Sequence, residues 1–569
     1  MASAFLGSVR ERIHLTPRFR HRSFSPFCHC FSALRYCQPA AVVGVNTSPD
    51  FVNVTGTLSV IDLESQTIAY EIELPGQPDA VDVSKDTSSF PIYIAVAIEN
   101  ERDEDLGDGA PPQLPAGLLT IVTISSEEEM ADPTAWMSMD IELTGYDACR
   151  FPEDPEPEYV AIHPDNKRVV VTLQENNCNI LVDMESGTVL EAYNAGMVEL
   201  EQVDTIEDGL ILQVEDIASI SRDGTGGLLR EADGVTWIGN TEYYATANEG
   251  DLDGGSRGWS IFEAATGDVV YDSGSTMEWA TAKAGHYPDE RSGNKGNEPE
   301  NVFYTAFPDF GTEYIFVLSE RSSVVFVYSV DSTVSPPSPQ FVQLLPVGIG
   351  PEGITAIPSK NLVAIASEVD ERENKLRSSI AIFELGHSET GFPEYPTLVS
   401  AFRDGESGPP IPFAALSGLV AGEDNILYTV EDSFYSKNRI MTIDAKQFPA
   451  VIIAEQTIMD SEGVLSECLE GVEGVDVASV INEDSTINID PEGISLVSAT
   501  GGFWIVSEGK GTIGDEAKPF ATPNLLLELD KSASIVACIL PDESFEPQLR
   551  FGFEGVAEDG PRVVVALQR

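Results

Sequence analysis

Cationic side chains are scarce in this chain. Its 569 residues hold 32 Lys and Arg against 94 Asp and Glu, for a net charge of −62. Such a surface repels phosphate backbones, so a nucleic-acid partner is excluded and cations are the natural partners. No apolar run approaches 18 residues, so no transmembrane helix is encoded. Histidine is nearly absent from the body, where only His163, His286 and His387 occur. HExxH, GxSxG, P-loop and Cys-x5-Arg signatures are all missing, which argues against zinc hydrolysis and nucleophile-elbow chemistry. The body cysteines, Cys149, Cys178, Cys468 and Cys538, form no CxxC pair, so a zinc ribbon or thioredoxin-like site is not expected. Long segments of 3.6-residue periodicity are also missing. Disorder is excluded by the opposite observation: 42% of the residues are hydrophobic, enough for real cores.

What is present divides into a leader and a body. Residues 1–40 carry six Arg, no Lys and a single acid, Glu11. That composition fits an organellar transit peptide, or a misassigned start that has replaced a signal peptide. In either case the leader is expected to pack on nothing. Asn46-Thr-Ser48 and Asn53-Val-Thr55 are glycosylation sequons at the start of the body, a weak pointer to a secreted context.

The body reads as short strands and tight turns. Val169–Leu173, Tyr314–Leu318 and Phe503–Val506 are apolar strands, and Pro164–Lys167 and Thr500–Gly502 are hairpin turns. One unit recurs: an acid, a strand, a turn, a second strand, then Glu. It pairs Glu158 with Glu175, Asp233 with Glu249, Glu300 with Glu320, Glu352 with Glu368, and Glu492 with Glu508. Weaker copies begin at Asp79 (ending at Glu99), Ser417 (ending at Glu431) and Glu554 (ending at Gln568). The eight copies start 52 to 79 residues apart, which suits four-stranded propeller blades with insertions. The expected fold is therefore all-β, a β-propeller with seven blades followed by a second, incomplete propeller. A series of β-sandwiches is the alternative.

In a blade, the start of the first strand and the end of the second lie at the same end of one hairpin. The ten marked acids, Glu158, Glu175, Asp233, Glu249, Glu300, Glu320, Glu352, Glu368, Glu492 and Glu508, should then gather at propeller mouths. Crowded carboxylates repel unless protons or a cation neutralise them. Multi-carboxylate oxygen sites suit Ca²⁺. The structural alternative is that Gly in Pro-Glu-Gly supplies an unusual backbone angle while Glu caps backbone N–H groups. The acidic loops Asp103–Gly109 and Asp251–Gly254 lack EF-hand spacing and read as solvated insertions. Cys149 and Cys178 bracket one unit, and a disulfide between them is expected in an oxidising compartment if their Cα atoms lie within about 7 Å.

Two resemblances emerge from particular stretches. Residues 41–395 resemble the choice-of-anchor I family of secreted and surface β-propellers, through Pro157-Glu-Tyr159, Val171–Asn176, Thr246–Asp251, Tyr271–Gly274, Asn294–Glu300 and Gly350–Ile354. Residues 396–569 resemble the phytase-like domain called esterase-like activity of phytase, through Ala415–Leu419, Val430–Tyr435, Asp490–Ile494, Phe503–Gly509 and Gly552–Val556. The first resemblance implies secretion or surface display, with the organellar leader as the alternative. The second implies a Ca²⁺-dependent phosphoesterase acting on phosphate esters. Its basic cluster would be Lys437 and Arg439 beside Glu431 and Asp432, with Arg550 a weaker candidate. The competing reading is a non-catalytic binding or adhesion protein that calcium only rigidifies. A Lys or Arg beside the carboxylates favours the enzyme, and a bare carboxylate cluster favours the binder. The final hairpin, Arg562–Arg569, has no third strand after it, so the second unit is expected to be truncated.

Overall fold

The computed structural model describes residues 31–34, 40–107, 109–210, 227–253, 255–386, 393, 395–403, 405, 409–511, 520–541 and 552–568. Strands make up 46% of it and helix 7%, so the chain is all-β. The strands form antiparallel meanders that follow chain order. Four-stranded sheets span Phe31–Leu74, Pro78–Glu142, Pro157–Asn194, Val235–Asp272 and Pro299–Pro346, and a three-stranded sheet spans Pro351–Glu384. A five-stranded sheet covers Leu398–Thr457, with Leu398–Ser400 added parallel to the outer strand Ala450–Thr457. The four-stranded Asp490–Ile539 and the pair Phe553–Leu567 follow. Six such sheets lie between residues 31 and 384, and the count of seven blades remains an expectation.

Stacking of successive sheets explains why the middle strands are apolar throughout. Ile92–Ile98 is buried at every position. Its Ile92, Ile94, Val96 and Ile98 face the sheet before it, and Tyr93, Ala95 and Ala97 face the sheet after it. Val170 and its neighbours Val169 and Val171 divide in the same way between two cores. Alternation of side chains then carries no polar face, as expected of a strand buried on both sides. Outer strands such as Thr67–Leu74 are mostly exposed. Further shared cores join the sheets at 235–272 and 299–346, at 299–346 and 351–384, and at 416–457 and 490–539. First strands of non-neighbouring sheets also meet. Asn301 Nδ2 donates to Tyr159 Oη at 2.8 Å and to the Glu352 carbonyl at 3.0 Å. Those contacts place the first strands around a common axis, which is a β-propeller.

The residue at the head of each copy lies in a β-bulge. The ladder skips one residue between Pro299 and Asn301, Pro351 and Gly353, Pro491 and Gly493, and Phe553 and Gly555, and two residues against one between Pro157 and Val160. It also skips between Pro78 and Val81 and between Leu416 and Leu419. At Asp233 the N–H donates to Ala247 O while Ala247 N–H donates to Gly234 O, again two residues against one. A bulge re-aims one side chain without breaking the strand, which is how an acid at the strand entrance is turned toward the mouth.

The glycine after the acid has a different cause from the expected one. Gly234, Gly353, Gly418, Gly493 and Gly555 do not have positive φ. Instead the backbones of Gly234, Gly418 and Gly493 face neighbouring first strands. A Cβ on Gly418 would lie 2.8 Å from Gly493 Cα, and one on Gly493 would lie 2.8 Å from Gly555 Cα. Glycine here permits close approach of successive blades.

Two further corrections concern the termini of the ladder and its cysteines. Phe31–Leu34, inside the stretch expected to pack on nothing, pairs antiparallel with Ala40–Val43, because a short apolar segment next to a strand edge satisfies its backbone there. Cys149 and Cys178 are bonded, with Cα atoms 5.1 Å apart, and a second bond not foreseen joins Cys468 to Cys538 across 6.1 Å. The sequence also gave no sign of the helix Thr276–Ala284, whose nine residues are too few for a clear period. Among the described residues no helix is long and apolar enough to cross a membrane.

Candidate metal centres

At the mouth formed by the earlier sheets, several bulged acids and strand-end acids meet. Carboxylate oxygens of Asp79, Glu99 and Glu158 lie within 4.8 Å of one another, as do those of Asp233, Glu249 and Glu300, and those of Glu249, Glu298 and Glu320. Burial holds the Glu99, Glu158 and Glu300 carboxyls well above the usual range, and neighbouring acids push them further. Burial raises Glu249 as well, against the opposing pull of Lys295. Glu352 belongs to the same field, acting on Glu300. Glu352 and Glu368 line a groove of about 360 Å³ on the sheet Pro351–Glu384 and join none of these triads.

This mouth is laced with cations. Arg102 is buried and pairs with Glu156 at 2.9 Å, Glu175 at 2.8 Å, and Asp251. Lys295 reaches Glu249 at 3.3 Å and Asp251 at 3.5 Å. Arg321 holds Glu320 at 2.8 Å and Glu298 at 2.9 Å, and Arg150 holds Glu231 and Asp253. The loop at 251–253 is therefore docked rather than solvated, because two arginines and the Glu231 carboxylate, which accepts from the Asp251 and Asp253 N–H groups, fix it. The loop at 104–107 is exposed as expected, and Asp108 and Gly254 lie outside the described residues. Burial pushes Glu320 up to about 8 and Glu175 to about 7 despite their arginines.

The arginine-held acids form a tier that sequence reasoning missed. Glu156, Glu231 and Glu298 each stand two residues before a marked acid, in Glu156-Pro-Glu158, Glu231-Ala-Asp233 and Glu298-Pro-Glu300. That spacing was the available signal. All three are buried.

The later mouth differs in kind. Asp432, Asp490 and Glu492 bring carboxylate oxygens within 4.8 Å, and so do Glu492, Glu508 and Glu554. Glu492 belongs to both sets, so five acids form one patch. None of the five makes an ion pair among the described residues. Burial and a hydrogen bond donated to Asp432 push Asp490 up to about 7, while that same bond pulls Asp432 down, so the two share a proton. Burial raises Glu492, with a hydrogen bond from Ser417 Oγ at 2.7 Å opposing it. Burial and the charges of Glu554 and Glu492 raise Glu508. Asp490 stands two residues before Glu492, and Glu554 is the acid of a weaker repeat, so the repeat itself pointed to both.

The catalytic candidates divide. Asp432 joins the patch. Glu431 turns away and is gripped by Arg439, which donates from Nη2 to both its oxygens at 2.9 and 2.8 Å, and also to Pro412 O and Glu455. Lys437 is half-buried and paired with Asp484 at 2.7 Å. Of the histidines, His163 is buried in its turn against Thr241 O, and His387 lies outside the described residues, as does Arg550.

Comparisons with known proteins follow this division. Residues 29–254 and 252–333 match the family model for the choice-of-anchor I domain, and residues 411–569 match the one described as esterase-like activity of phytase. No curated protein matches. Among solved structures, a putative 6-phosphogluconolactonase from Bacteroides fragilis is 12% identical, with 65% of this chain and 82% of that one covered at a TM-score of 0.34. The Cps50 (Swd1) β-propeller domain of Myceliophteria thermophila is 9% identical, with 61% and 95% covered at a TM-score of 0.33. Likenesses so loose carry no argument about function. The earlier propeller sheets, their mouth of bulged acids and the match across residues 29–333 together place this chain in the choice-of-anchor I domain family, with a phytase-like region following.

Proposed function

We propose that this is a secreted or cell-surface β-propeller protein whose later mouth binds a divalent cation, and that the cation is Ca²⁺. The observation that carries this reading is the five-acid patch of Asp432, Asp490, Glu492, Glu508 and Glu554, which makes no ion pair among the described residues. Its donors are all carboxylate oxygens on half-buried side chains, the hard and adaptable set that Ca²⁺ accepts. The earlier mouth carries its own arginine and lysine partners, so its acids have less need of an ion. The ten marked acids stand as metal-ligand candidates, of which Glu492 and Glu508 have the least internal compensation. Two disulfides and two exposed sequon asparagines, Asn46 and Asn53, support an oxidising, extracytoplasmic setting. Residues 41–395 and 396–569 are proposed as two propeller units, the first seven-bladed.

A second reading is favoured by the phytase-like match, which spans all five acids. In that reading an ion held by these carboxylates would supply Lewis-acid polarisation of a phosphoryl group. This chain's part would be to hold the ion on Asp490, Glu492, Glu508 and Glu554, while the Asp432–Asp490 pair holds a proton at the edge of the patch. The binder reading is the better supported, because Arg439 and Lys437 are both engaged by carboxylates and so do not face a substrate. A panel of phosphate esters, run with Ca²⁺ and with chelator, separates the two. Calcium-dependent phosphate release that Glu492→Gln abolishes establishes the enzyme, and calcium binding without release establishes the binder.

A further inference from the structure

A groove of about 240 Å³ lies between the helix Thr276–Ala284, the outer strand Gln340–Pro346 and the segment around Tyr395 to Val399. It is far in kind from the mouths. In a chain with 94 acidic residues, none of the described residues lining it is Asp or Glu. Phe341, Leu344, Pro396 and Val399 supply apolar walls, and the only charged lining residue described is Lys283. Lys283 makes no salt bridge among the described residues; its Nζ sits 4.8 Å from the Phe402 ring centroid. Its place in the last helical turn suits the helix dipole, but a dipole alone would leave the ammonium in water. Here burial instead lowers its pKa, and beyond the Phe402 ring no described anion offsets the charge. The rim is fixed. His286 Nδ1 faces the Ser322 carbonyl at 3.2 Å and must carry the proton there, which makes Nε2 the acceptor of the Tyr395 hydroxyl. Phe341 and Val342 remain 50% and 39% exposed at the entrance.

We propose that this groove binds a small apolar carboxylate, with the hydrocarbon against Phe341, Leu344, Pro396 and Val399 and the anion on Lys283. Charge complementarity selects the ligand: an ammonium in an apolar groove with no acid among its described lining residues is completed by an anion, and the walls reward a hydrocarbon tail. A neutral apolar ligand would leave the ammonium uncompensated, and a cationic one would be repelled.

Titration of the full chain with octanoate, octanol and octylamine, followed by calorimetry, tests this. Octanoate should bind, octanol should bind about tenfold more weakly, and octylamine should show no binding. Lys283→Met should cost octanoate about tenfold and remove its advantage over octanol, while Lys283→Arg should keep it. If Lys283→Met fails to fold, Val342→Trp, which fills the groove from its exposed rim, should abolish octanoate binding. The proposal is overturned if octanoate does not bind, if octanol binds as well as octanoate, or if both variants bind octanoate like the natural chain.

Discussion

Replacing Arg102 by Met removes the one guanidinium shared by Glu156, Glu175 and Asp251. Burial pushes Glu175 to about 7 and Glu156 to about 10, so at pH 8 the two glutamates together hold about one negative charge. Arg102 neutralises that charge at contact distance. At an effective dielectric constant near 20, one such pair is worth about 4 kcal/mol before desolvation. Removing one partner of a buried pair while leaving the other typically costs about 3–5 kcal/mol, and that is the loss expected at pH 8. The pH dependence follows from linkage. Without Arg102 the folded-state pKa of Glu175 rises further above its unfolded value. The folded state then binds the proton more tightly, and the added loss appears as pH climbs through and beyond 7. At pH 5.5 the glutamates are protonated in either protein and the loss should be clearly smaller. Urea denaturation at the two pH values measures both quantities. Adding Glu175→Gln to Arg102→Met should recover part of the stability, because the uncompensated charge is gone. A loss under about 1 kcal/mol at pH 8, or an equal loss at both values, would refute the reasoning.

Three further outcomes are expected. In chelator, the protein should melt at a lower temperature at pH 8 than at pH 5.5, because Asp490 at about 7 and Glu320 at about 8 are raised above their unfolded values and their stability contribution is lost as pH rises through that window; thermal melts across the range check this, and a flat or rising profile counts against it. Gly493→Ala should destabilise by about 1–3 kcal/mol, since its Cβ would meet Gly555 Cα at 2.8 Å, and a neutral effect in denaturation would show that the first strands are not so close. Peptide mapping without reductant should recover Cys149 joined to Cys178 and Cys468 joined to Cys538, and removing either bond should cost about 2–5 kcal/mol.

The fold was legible because its signal is a repeat. Eight strand–turn–strand copies, each marked by an acid or Ser417 at its head, specified blades before any coordinates. The convergence of Glu158, Asp233 and Glu300 with strand-end acids followed from hairpin geometry alone. What could not be read was the compensation. Arg102 meets Glu156 and Glu175 from 54 and 73 residues away, and no local pattern announces such pairings. Arg439 likewise looked like a free cation beside Glu431, because a sequence cannot show that the two side chains grip each other inside the sheet. Asp79 and Asp490 were in view but undervalued: Asp79 heads one of the weaker copies, and Asp490 lies one step outside the Pro-Glu-Gly triplet. A bulge turns Asp79 toward the mouth, whereas Asp490 stays in register opposite Glu508 and reaches the patch from there.

The central claim is that the later mouth is a calcium site. Its most direct measurement is calorimetric titration of the chelator-treated full chain with Ca²⁺, beside the variant Glu492→Gln with Glu508→Gln. The natural chain should bind Ca²⁺ and melt at a higher temperature when it does, by about 2.7 kcal/mol of stabilisation at a hundredfold excess over the dissociation constant. The variant should lose that binding while keeping its β-sheet spectrum. Calcium binding that is absent in the natural chain, or unchanged in the variant, would contradict the claim.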